Sequence, residues 1–582
     1  MFKENLKSIV NKEWKPSILE KISGIIDRFS ATERVLYFFF AVILITSGLT
    51  LLYQVNKEFL VEVPDYGGSL VEGVIGSPRF VNPLLSNSDV DKDLIALIYS
   101  GLLKNNSEGE LILDLAESYE ISPDGLSYTI KLKNNIYFHD GKSVTADDII
   151  YTVERAQDPE LKSPRETNWM GVEAQKIDER TVNFTLKQAY SPFIQNLTLG
   201  ILPKHIWQTA NSNEFPFSQF NTKAIGSGPY MIDEISYTDS GLPNEYHLKS
   251  FKKYILGKPF INNITIKSYQ DEKDLIDGWK NGEIDSFSGV SPKELASLEI
   301  NPKQIIKAEL SRIFGVFFNQ SSAQVLLNKE VREALNISVD KQEIINSVLG
   351  GYGKELNSLI SLRSVTENET SLDEESRIEK AREILTKKGW KQNDDGIFEK
   401  KDKKSTTLLS FSISTGDAPE LKETAVILQR QWSKLGASID VKIFDISDLN
   451  QNIIKPRKYD SILFGEIVGR DFDLYPFWHS SGRLSPGLNI ALYTNLKADK
   501  LLENIRRTTD KTEQKKYFDS LVSEIENDIP AIFTYSPYFI YIVPDKTKNI
   551  SLGMLTNPSE RFSDVQKWYI ETNNVWKIFN NN

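Results

Sequence analysis

An uncharged run of 21 residues near the N-terminus constrains this chain more than any other feature. From Val35 to Val55 the sequence reads VLYFFFAVILITSGLTLLYQV, without one Asp, Glu, Lys or Arg. As a helix this run would be about 32 Å long, which is enough to cross the hydrocarbon core of a bilayer. We therefore predict a transmembrane helix over 35–55, followed by a large water-exposed part.

The charges on either side of this run predict its orientation. Residues 1–34 hold seven Lys or Arg and five Asp or Glu, whereas Lys57 is followed mainly by acids. Since cytoplasmic flanks carry the basic excess, we place 1–34 in the cytoplasm and the bulk of the chain outside the cell. A cleaved signal peptide is the alternative. A leader of 34 residues is long for one, and no clear small-x-small cleavage site follows. We expect a single-pass anchor in the cell membrane.

Length and composition limit the function classes. A chain of 582 residues is too long for one core, so we expect two or three domains. Its net charge of −11 argues against nucleic-acid binding, which needs a basic surface. The sequence contains no cysteine, which excludes disulfides, thiolate metal sites, a cysteine nucleophile and a lipid-modified cysteine.

Strand and helix patterns interleave after the apolar run. Alternating segments predict strands, and apolar residues at helical spacing predict amphipathic helices. The predicted strands include 69–76, 127–138, 181–189 and 437–445, and the predicted helices include 91–104, 371–390 and 421–436. This interleaving predicts an α/β fold.

The stretch YFHDGKSVTADDIIYTVER places His139 beside Asp140, which could indicate a catalytic or metal site. Local structure explains the same residues. The HDG tripeptide favours a turn, and Thr145 with Asp148 has the spacing of a helix capping box. We therefore interpret this stretch as a turn and a helix start, and not as a catalytic site.

Several long segments then become recognisable together. DLAESYEISPDGLSYTIKLKNNIYFHDGKSVTADDIIYTVERAQDP (114–159) resembles the signature segment of the family 5 solute-binding proteins, the extracytoplasmic receptors of peptide-type ABC importers. Further segments resemble the family in the expected order: SPRFVNPLLS (77–86), PFIQNLTLGILPKHIW (192–207), GSGPYMI (226–232), VREALNISVDKQEIINSVLGGYG (331–353) and 493–537. The resemblance covers essentially all of residues 70–575.

The resemblance implies two large lobes of a periplasmic-binding-protein-like fold, joined by a two-stranded hinge, with an extra domain inserted in the first lobe. Ligand binds in the cleft, and the lobes close over it. Hinge crossings are expected near Ile306–Phe314 and Tyr535–Ile542. The expected segments are 1–34 cytoplasmic, 35–55 transmembrane, 56–70 linker, 66–310 first lobe with the inserted domain in about 95–185, 311–540 second lobe, and 541–582 return to the first lobe.

The function implied by the resemblance is a receptor that captures peptides in the interlobe cleft and delivers them to the permease and ATPase subunits of an ABC importer. We expect a monomer without a cofactor. Members of the family also bind nickel complexes, haem and sugars, so a non-peptide ligand is an alternative. A sensor or scaffold without transport activity is another, and a carboxylate-based hydrolase a third.

An enzyme is less well supported by the sequence. The four histidines form no His-Glu-x-x-His or other metal spacing, and no Gly-x-Ser-x-Gly elbow is present. The chain also lacks a Gly-x-x-x-x-Gly-Lys loop, so it does not hydrolyse ATP itself. We therefore expect a receptor, and not an enzyme.

The resemblance also suggests ligand contacts in the second lobe. In peptide binders of this family, an aspartate just before an acid–proline pair meets the ammonium group of the peptide. In FGEIVGRDFDLYPFWHSSG (464–482), Asp471 is the candidate for that aspartate and Asp473 for the acid of the pair. The spacing is one residue short, and Leu474 replaces the proline. A second alignment puts Arg470 at the ammonium-partner position, which would favour an anionic ligand.

Aromatic and basic residues complete the expected ligand site. Trp478, with Tyr475 and Phe477, is expected to line the cleft or to belong to the core, since aromatic residues at this density fit either place. In the first lobe, SPRETNW (163–169) resembles a segment that faces the cleft. This makes Arg165 and Trp169 further candidates for ligand binding.

Overall fold

The computed structural model describes residues 25–26, 28–359, 373–403, 405–470 and 472–579. This part of the chain divides into two compact units. One unit combines the residues up to Asp65 with those from Thr572 onward, and the other runs from Tyr66 to Glu571.

The first unit contains the apolar helix. The helix spans Ala31–Phe59, four residues beyond the predicted run at each end, and begins at a capping box formed by Ser30 and Glu33. It is long and apolar enough to cross a membrane, and none of its residues is buried. Residues 56–70, the predicted linker, contain the end of this helix, the strand Leu60–Pro64 and the start of the strand Gly67–Ile75.

Helices are distributed over the described chain. The described α-helices are α1 Ala31–Phe59, α2 Asp89–Ile98, α3 Ala146–Ala156, α4 Glu166–Trp169, α5 Lys204–Trp207, α6 Glu272–Lys280, α7 Pro292–Ala296, α8 Lys329–Ser338, α9 Lys341–Leu349, α10 Glu374–Lys387, α11 Pro419–Leu435, α12 Ile446–Asp448, α13 Tyr475–Trp478, α14 Leu496–Arg507 and α15 Lys511–Asp528. A 3-10 helix, Ser191–Thr198, also bears on the site.

Strands alternate with these helices along the chain. The described strands are β1 Leu60–Pro64, β2 Gly67–Ile75, β3 Leu103–Asn105, β4 Leu111–Leu113, β5 Ala116–Ile121, β6 Ser127–Leu132, β7 Glu173–Asp178, β8 Thr181–Thr185, β9 Tyr230–Tyr237, β10 Pro243–Ser250, β11 Ile261–Tyr269, β12 Ser286–Ser288, β13 Ile305–Glu309, β14 Arg312–Phe318, β15 Gly353–Glu355, β16 Lys391–Gln392, β17 Phe398–Lys401, β18 Thr406–Leu408, β19 Ser410–Gly416, β20 Ser438–Phe444, β21 Ser461–Ile467, β22 Ala531–Ile542 and β23 Thr572–Trp576.

Most strands of the second unit join one long hydrogen-bonded path. Its order is β20-β19-β21-β14-β22-β12-β2-β11-β10-β9, with β13 and β15 also paired to β22. The first half of β22 pairs with β14, and its second half pairs with β13 and β12. A separate antiparallel sheet has the order β5-β6-β8-β7. In the other unit, β1 pairs with β23.

Four buried clusters divide the second unit into two lobes. The buried residues of two clusters lie before Ser311 and after Pro537 in the chain. We call these parts of the chain the first lobe. The other two draw on residues between Ile313 and Tyr535, which form the second lobe. The chain passes between the cores at Ser311 and again within β22. These places lie within the two segments where hinge crossings were expected.

The HDG turn and the helix after it have the predicted structural roles. The Asp148 carboxylate accepts hydrogen bonds from the backbone N–H of Thr145 at 2.9 Å and from its hydroxyl at 3.0 Å, within a capping box that starts α3. The His139 ring lies 3.1 Å from the carbonyl oxygen of Gly228, and its burial lowers the pKa to about 4. This histidine is therefore neutral at physiological pH and belongs to the packing of the first lobe.

Candidate functional site

A cavity of about 340 Å³ lies between the two lobes. The second lobe contributes Gly469 and Arg470 just after β21, and the first lobe contributes the other walls. Amide side chains are prominent among the lining residues. The first-lobe lining consists of Pro83, Ser86, Lys92, Ile95, Ala96, Asn105, Arg165, Asn168, Trp169, Gln195, Asn196, Thr198, Leu199, Gly200, Thr556, Asn557, Ser559 and Glu560.

An ion pair crosses from one lobe to the other at this cavity. The Arg470 guanidinium donates to Oε2 of Glu560 through Nη2 at 2.6 Å and through Nε at 3.2 Å. The same carboxylate accepts from the backbone N–H of Thr556 at 2.8 Å and from the Asn557 amide at 3.1 Å. Because both side chains are largely buried, this pair neutralises the positive charge of Arg470 at the cavity wall.

A buried ion cluster holds the segment that carries Glu560. The next residue, Arg561, donates to Glu72 at 2.9 Å and to Asp93 at 2.7 Å, and all three side chains are buried. Glu72 lies on β2 and Asp93 on α2. This cluster fixes the 556–561 segment against the core of the first lobe, and so positions Glu560 toward Arg470.

The Arg165 side chain reaches the cavity from the first lobe, and its environment differs from that of Arg470. Its backbone N–H donates to the Ser163 hydroxyl at 3.1 Å, and that hydroxyl donates to the carbonyl of Leu84 at 2.7 Å. The guanidinium is half-buried, its Nε has no hydrogen-bond partner, and desolvation lowers its pKa. Within the described chain, no carboxylate pairs with it.

Trp169 lines the same cavity while it belongs to the core. It is 3% exposed and packs against Phe184 and Phe193, with ring centres 5.7 Å and 5.6 Å away. Gln157 donates to its carbonyl oxygen at 2.7 Å. The tryptophan therefore offers a fixed apolar wall next to Arg165.

A second set of contacts joins the lobes through Asp473. Its carboxylate accepts from Arg506, with Nε–Oδ1 at 2.9 Å and Nη2–Oδ2 at 2.5 Å, and from the Tyr190 hydroxyl at 3.4 Å. The Arg506 guanidinium carbon lies 3.9 Å from the ring centre of Tyr475 and 5.2 Å from that of Tyr190. We call Tyr190, Asp473, Tyr475 and Arg506 the latch, because Tyr190 belongs to the first lobe and the other three to the second.

The remaining candidates occupy other places. Trp478 is fully buried in the second lobe, with ring centres of Phe317, Tyr493 and Phe533 about 6 Å away. This burial agrees with the second of the two alternatives, in which Trp478 belongs to the core and does not line the cleft. Asp471 lies outside the described residues, so its role stays a prediction.

Sequence reasoning did not identify several residues that build this site. Glu560, Asn105 and Thr556 line the cavity, and Tyr190 and Arg506 belong to the latch. These residues come together only through the fold. None of them stands in a motif that marks a binding site, so no local signal in the sequence could have indicated them.

Comparison with known proteins decides the family. Residues 110–485 match the family described as "Bacterial extracellular solute-binding proteins, family 5 Middle", which is more than half of the chain. The chain belongs to this family. The family 5 assignment predicted from the sequence motifs is therefore confirmed.

Related sequences and solved structures align with most of this family 5 protein. The oligopeptide-binding protein AppA of Bacillus subtilis is 29% identical over 524 residues, which cover 87% of this chain and 92% of that protein. The structure of AppA from Bacillus subtilis in complex with a nonapeptide has a TM-score of 0.64 at 27% identity, covering 88% of this chain and 100% of AppA. NikZ from Campylobacter jejuni, in complex with Ni(L-His), has a TM-score of 0.65 at 27% identity, covering 86% and 99% of the two chains.

Family membership establishes the general function. The protein is an extracytoplasmic substrate-binding receptor of an ABC importer, and not an enzyme. The predicted α/β fold with two lobes is confirmed by the same neighbours.

Proposed function

We propose that this chain is a membrane-anchored receptor that captures peptides in the interlobe cavity and delivers them to the permease and ATPase subunits of an ABC importer. The observation that carries this proposal is the cavity itself. The first lobe lines it with amide and charged side chains, and the second lobe adds Arg470. Such groups suit the main-chain N–H and C=O groups of a peptide. The oligopeptide-binding relative supports the same ligand class.

The anchor part of the proposal rests on α1. A helix of 29 residues is about 43 Å long, so it spans a bilayer core and extends beyond it. The chain contains no cysteine that could carry a lipid. We therefore assign membrane attachment to this helix, with the N-terminus in the cytoplasm and both lobes outside. We expect the receptor to act as a monomer.

Among the predicted contacts, we assign Arg165 and Trp169 to the ligand site because they line the cavity. Arg470 lines it as well, but its charge is already paired with Glu560. Asp471 remains the candidate for the ammonium group of a peptide. We assign Asp473 to closure of the lobes because Arg506 and Tyr190 hold its carboxylate.

Native mass spectrometry of the full chain in lipid nanodiscs tests the ligand class. The purified receptor, mixed with tri- to pentapeptides, should retain peptides and release no cleavage products. Retention of a metal chelate, haem or a sugar in place of peptides would favour the corresponding alternative ligand. Turnover that is lost on substitution of a cavity carboxylate would contradict the receptor function.

Protease treatment of intact cells or spheroplasts tests the topology. An external protease should release a soluble fragment that begins near residues 56–70, while the N-terminal segment stays with the membrane. A secreted form that begins after Gly48 would show that the apolar run is a cleaved signal peptide.

A further inference from the structure

Three residues that line the cavity contain a buried polar atom without a hydrogen-bond partner. These atoms are Nε of Arg165, Oδ1 of Asn105 and Oγ1 of Thr556. Folded proteins leave few buried polar atoms unsatisfied, and each exception needs an explanation. Their position around one cavity allows one bound molecule to supply all three missing partners.

Among the cationic side chains that line the cavity, Arg165 differs from the others in its lack of an ion-pair partner within the described residues. Arg470 and Glu560 neutralise each other across the cavity wall. Lys92 lies 3.2 Å from Asp89, at a surface where both side chains are partly exposed to water. Arg165 is half-buried and has no ion-pair partner in the described parts of the chain. Among the described residues, the lining therefore contains one desolvated cation that no carboxylate pairs with.

Burial does not remove this charge. Desolvation lowers the pKa of Arg165, but an arginine guanidinium remains protonated at physiological pH. The backbone contact through Ser163 and the start of α4 fix where the side chain enters the cavity. A positioned guanidinium offers a planar set of donors that fits a carboxylate with two parallel hydrogen bonds.

We infer that Arg165 receives a carboxylate group of the ligand, and that Asn105 and Thr556 satisfy neighbouring polar groups of the same molecule. This inference rests on the proposed peptide-binding function and specifies its ligand class. Asn105 Oδ1 accepts an N–H group, and the Thr556 hydroxyl donates or accepts. The ligand class is a short peptide that places a carboxylate in the interlobe cavity.

Arg470 is the competing anion partner, and its contacts argue against that role. A carboxylate at Arg470 would have to displace Glu560, which the Arg470 guanidinium contacts at 2.6 Å. Glu560 is also held by two further donors, from Thr556 and Asn557. Arg165 offers its charge without such a displacement.

The carboxylate could be the C-terminus of the peptide or an acidic side chain, and the test separates these sources. The full chain in nanodiscs is titrated with three peptide mixtures and analysed by native mass spectrometry. One mixture has neutral side chains and free C-termini, the second has the same sequences as C-terminal amides, and the third has amidated sequences that contain one Glu.

For the wild type, we expect the amides with neutral side chains to bind at least tenfold more weakly than a mixture that carries a carboxylate. Preference for free C-termini assigns the C-terminal carboxylate, and preference for the Glu-containing amides assigns a side chain. Arg165→Gln should abolish the preference, and Arg165→Lys should retain part of it. Arg180→Gln, the same substitution at a more exposed arginine of the first lobe, should behave as wild type.

The possible failures are distinguishable. If the wild type binds peptides but does not discriminate among the three mixtures, or if Arg165→Gln retains the wild-type preference, the carboxylate inference is overturned. If the wild type binds none of the mixtures, the proposed peptide function fails and the inference fails with it. Thermal unfolding of each variant shows whether a loss of binding reflects a loss of folding.

Discussion

The guanidinium carbon of Arg506 in the second lobe lies 5.2 Å from the ring centre of Tyr190 in the first lobe. The same guanidinium donates to Asp473 in three hydrogen bonds, of 2.9, 3.1 and 2.5 Å, and stacks on Tyr475. Since Asp473 and Tyr475 hold Arg506 within the second lobe, its contact with Tyr190 forms only when the lobes are together. This relationship connects closure of the cleft to a protein contact that needs no ligand.

Loss of the latch should favour the open form. Arg506→Gln removes the contact between cation and ring, which contributes about 0.5–2 kcal/mol at a partly exposed site. Peptide affinity should therefore fall roughly two- to thirtyfold, and the ligand-free protein should have a larger radius of gyration by small-angle X-ray scattering. Arg507→Gln, one residue later on α14 and 70% exposed, is the control. Equal scattering curves and equal affinities for both variants would show that the latch does not hold the lobes together.

The Arg470–Glu560 pair should contribute to stability more than to affinity. Glu560→Gln leaves a largely buried guanidinium without its carboxylate, and breaking a buried pair costs about 3–5 kcal/mol. We expect a lower melting temperature and, because the cavity gains a second unpaired cation, a relative preference for peptides with an additional acidic residue. Differential scanning fluorimetry and titration calorimetry measure the two effects. The double variant Arg470→Gln/Glu560→Gln removes both charges and should recover part of the stability.

Glu466 should make the stability depend on pH. This glutamate on β21 is 4% exposed, neither carboxylate oxygen has a hydrogen-bond partner in the described structure, and burial raises its pKa well above the usual value. The folded state therefore retains a proton that the unfolded state loses above its ordinary pKa. Stability must fall as the pH rises above that point, because the folded state then binds more protons.

The variant Glu466→Gln removes this titration while the shape of the side chain is kept. Its melting temperature should exceed that of the wild type near pH 8, and the difference should shrink toward pH 4. Melting curves at several pH values measure this. A wild type that loses no stability relative to Glu466→Gln between pH 5 and pH 8 would contradict the buried, protonated state.

Asp471 provides a test of the ammonium contact that the family resemblance implies. A charge-assisted hydrogen bond contributes roughly 1.5–3 kcal/mol, so Asp471→Asn should weaken the binding of free peptides by about tenfold or more. N-acetylated peptides have no ammonium group and should be little affected. Titration calorimetry with both peptide forms separates these cases. Normal peptide binding by Asp471→Asn, together with lost binding by Arg470→Ala, would instead support the second alignment.

Local sequence signals predicted many elements of this fold, although the predicted helix 91–104 ends at Ile98 and the predicted strand 127–138 ends at Leu132. The Thr145–Asp148 capping box, the buried face of α10 with Ile378, Ala381 and Leu385, and the end of α11 at Gly436 all follow from spacing or glycine chemistry within a few residues. The apolar helix could be predicted because an uncharged run of 21 residues is long enough to span a bilayer core. In contrast, the pairing of β1 with β23 joins segments about 500 residues apart, and no periodicity indicates it.

The site depends on contacts that are distant in the sequence. Arg470 was a candidate because of its neighbours in the chain, but its charge is balanced by Glu560, 90 residues later. Asp473 was interpreted as a ligand contact, and the structure pairs it with Arg506 on α14. Trp478 belongs to the core of the second lobe, since an aromatic residue has the same sequence signal in a core and in a cleft.

Strand β22 belongs to the sheets of both lobes, and this affects how the protein unfolds on heating. Its first half completes the ladder of the second lobe with β14, and its second half completes that of the first lobe with β13 and β12. If the core of one lobe unfolds, half of β22 loses its paired strands. The strand is then less well held, and the sheet of the other lobe loses part of its hydrogen bonding. The two halves of the receptor are therefore coupled in unfolding, although each has its own hydrophobic interior. Calorimetry should record one cooperative heat-absorption peak for them, and a protease cut within β22 should release neither half as an independently folded fragment.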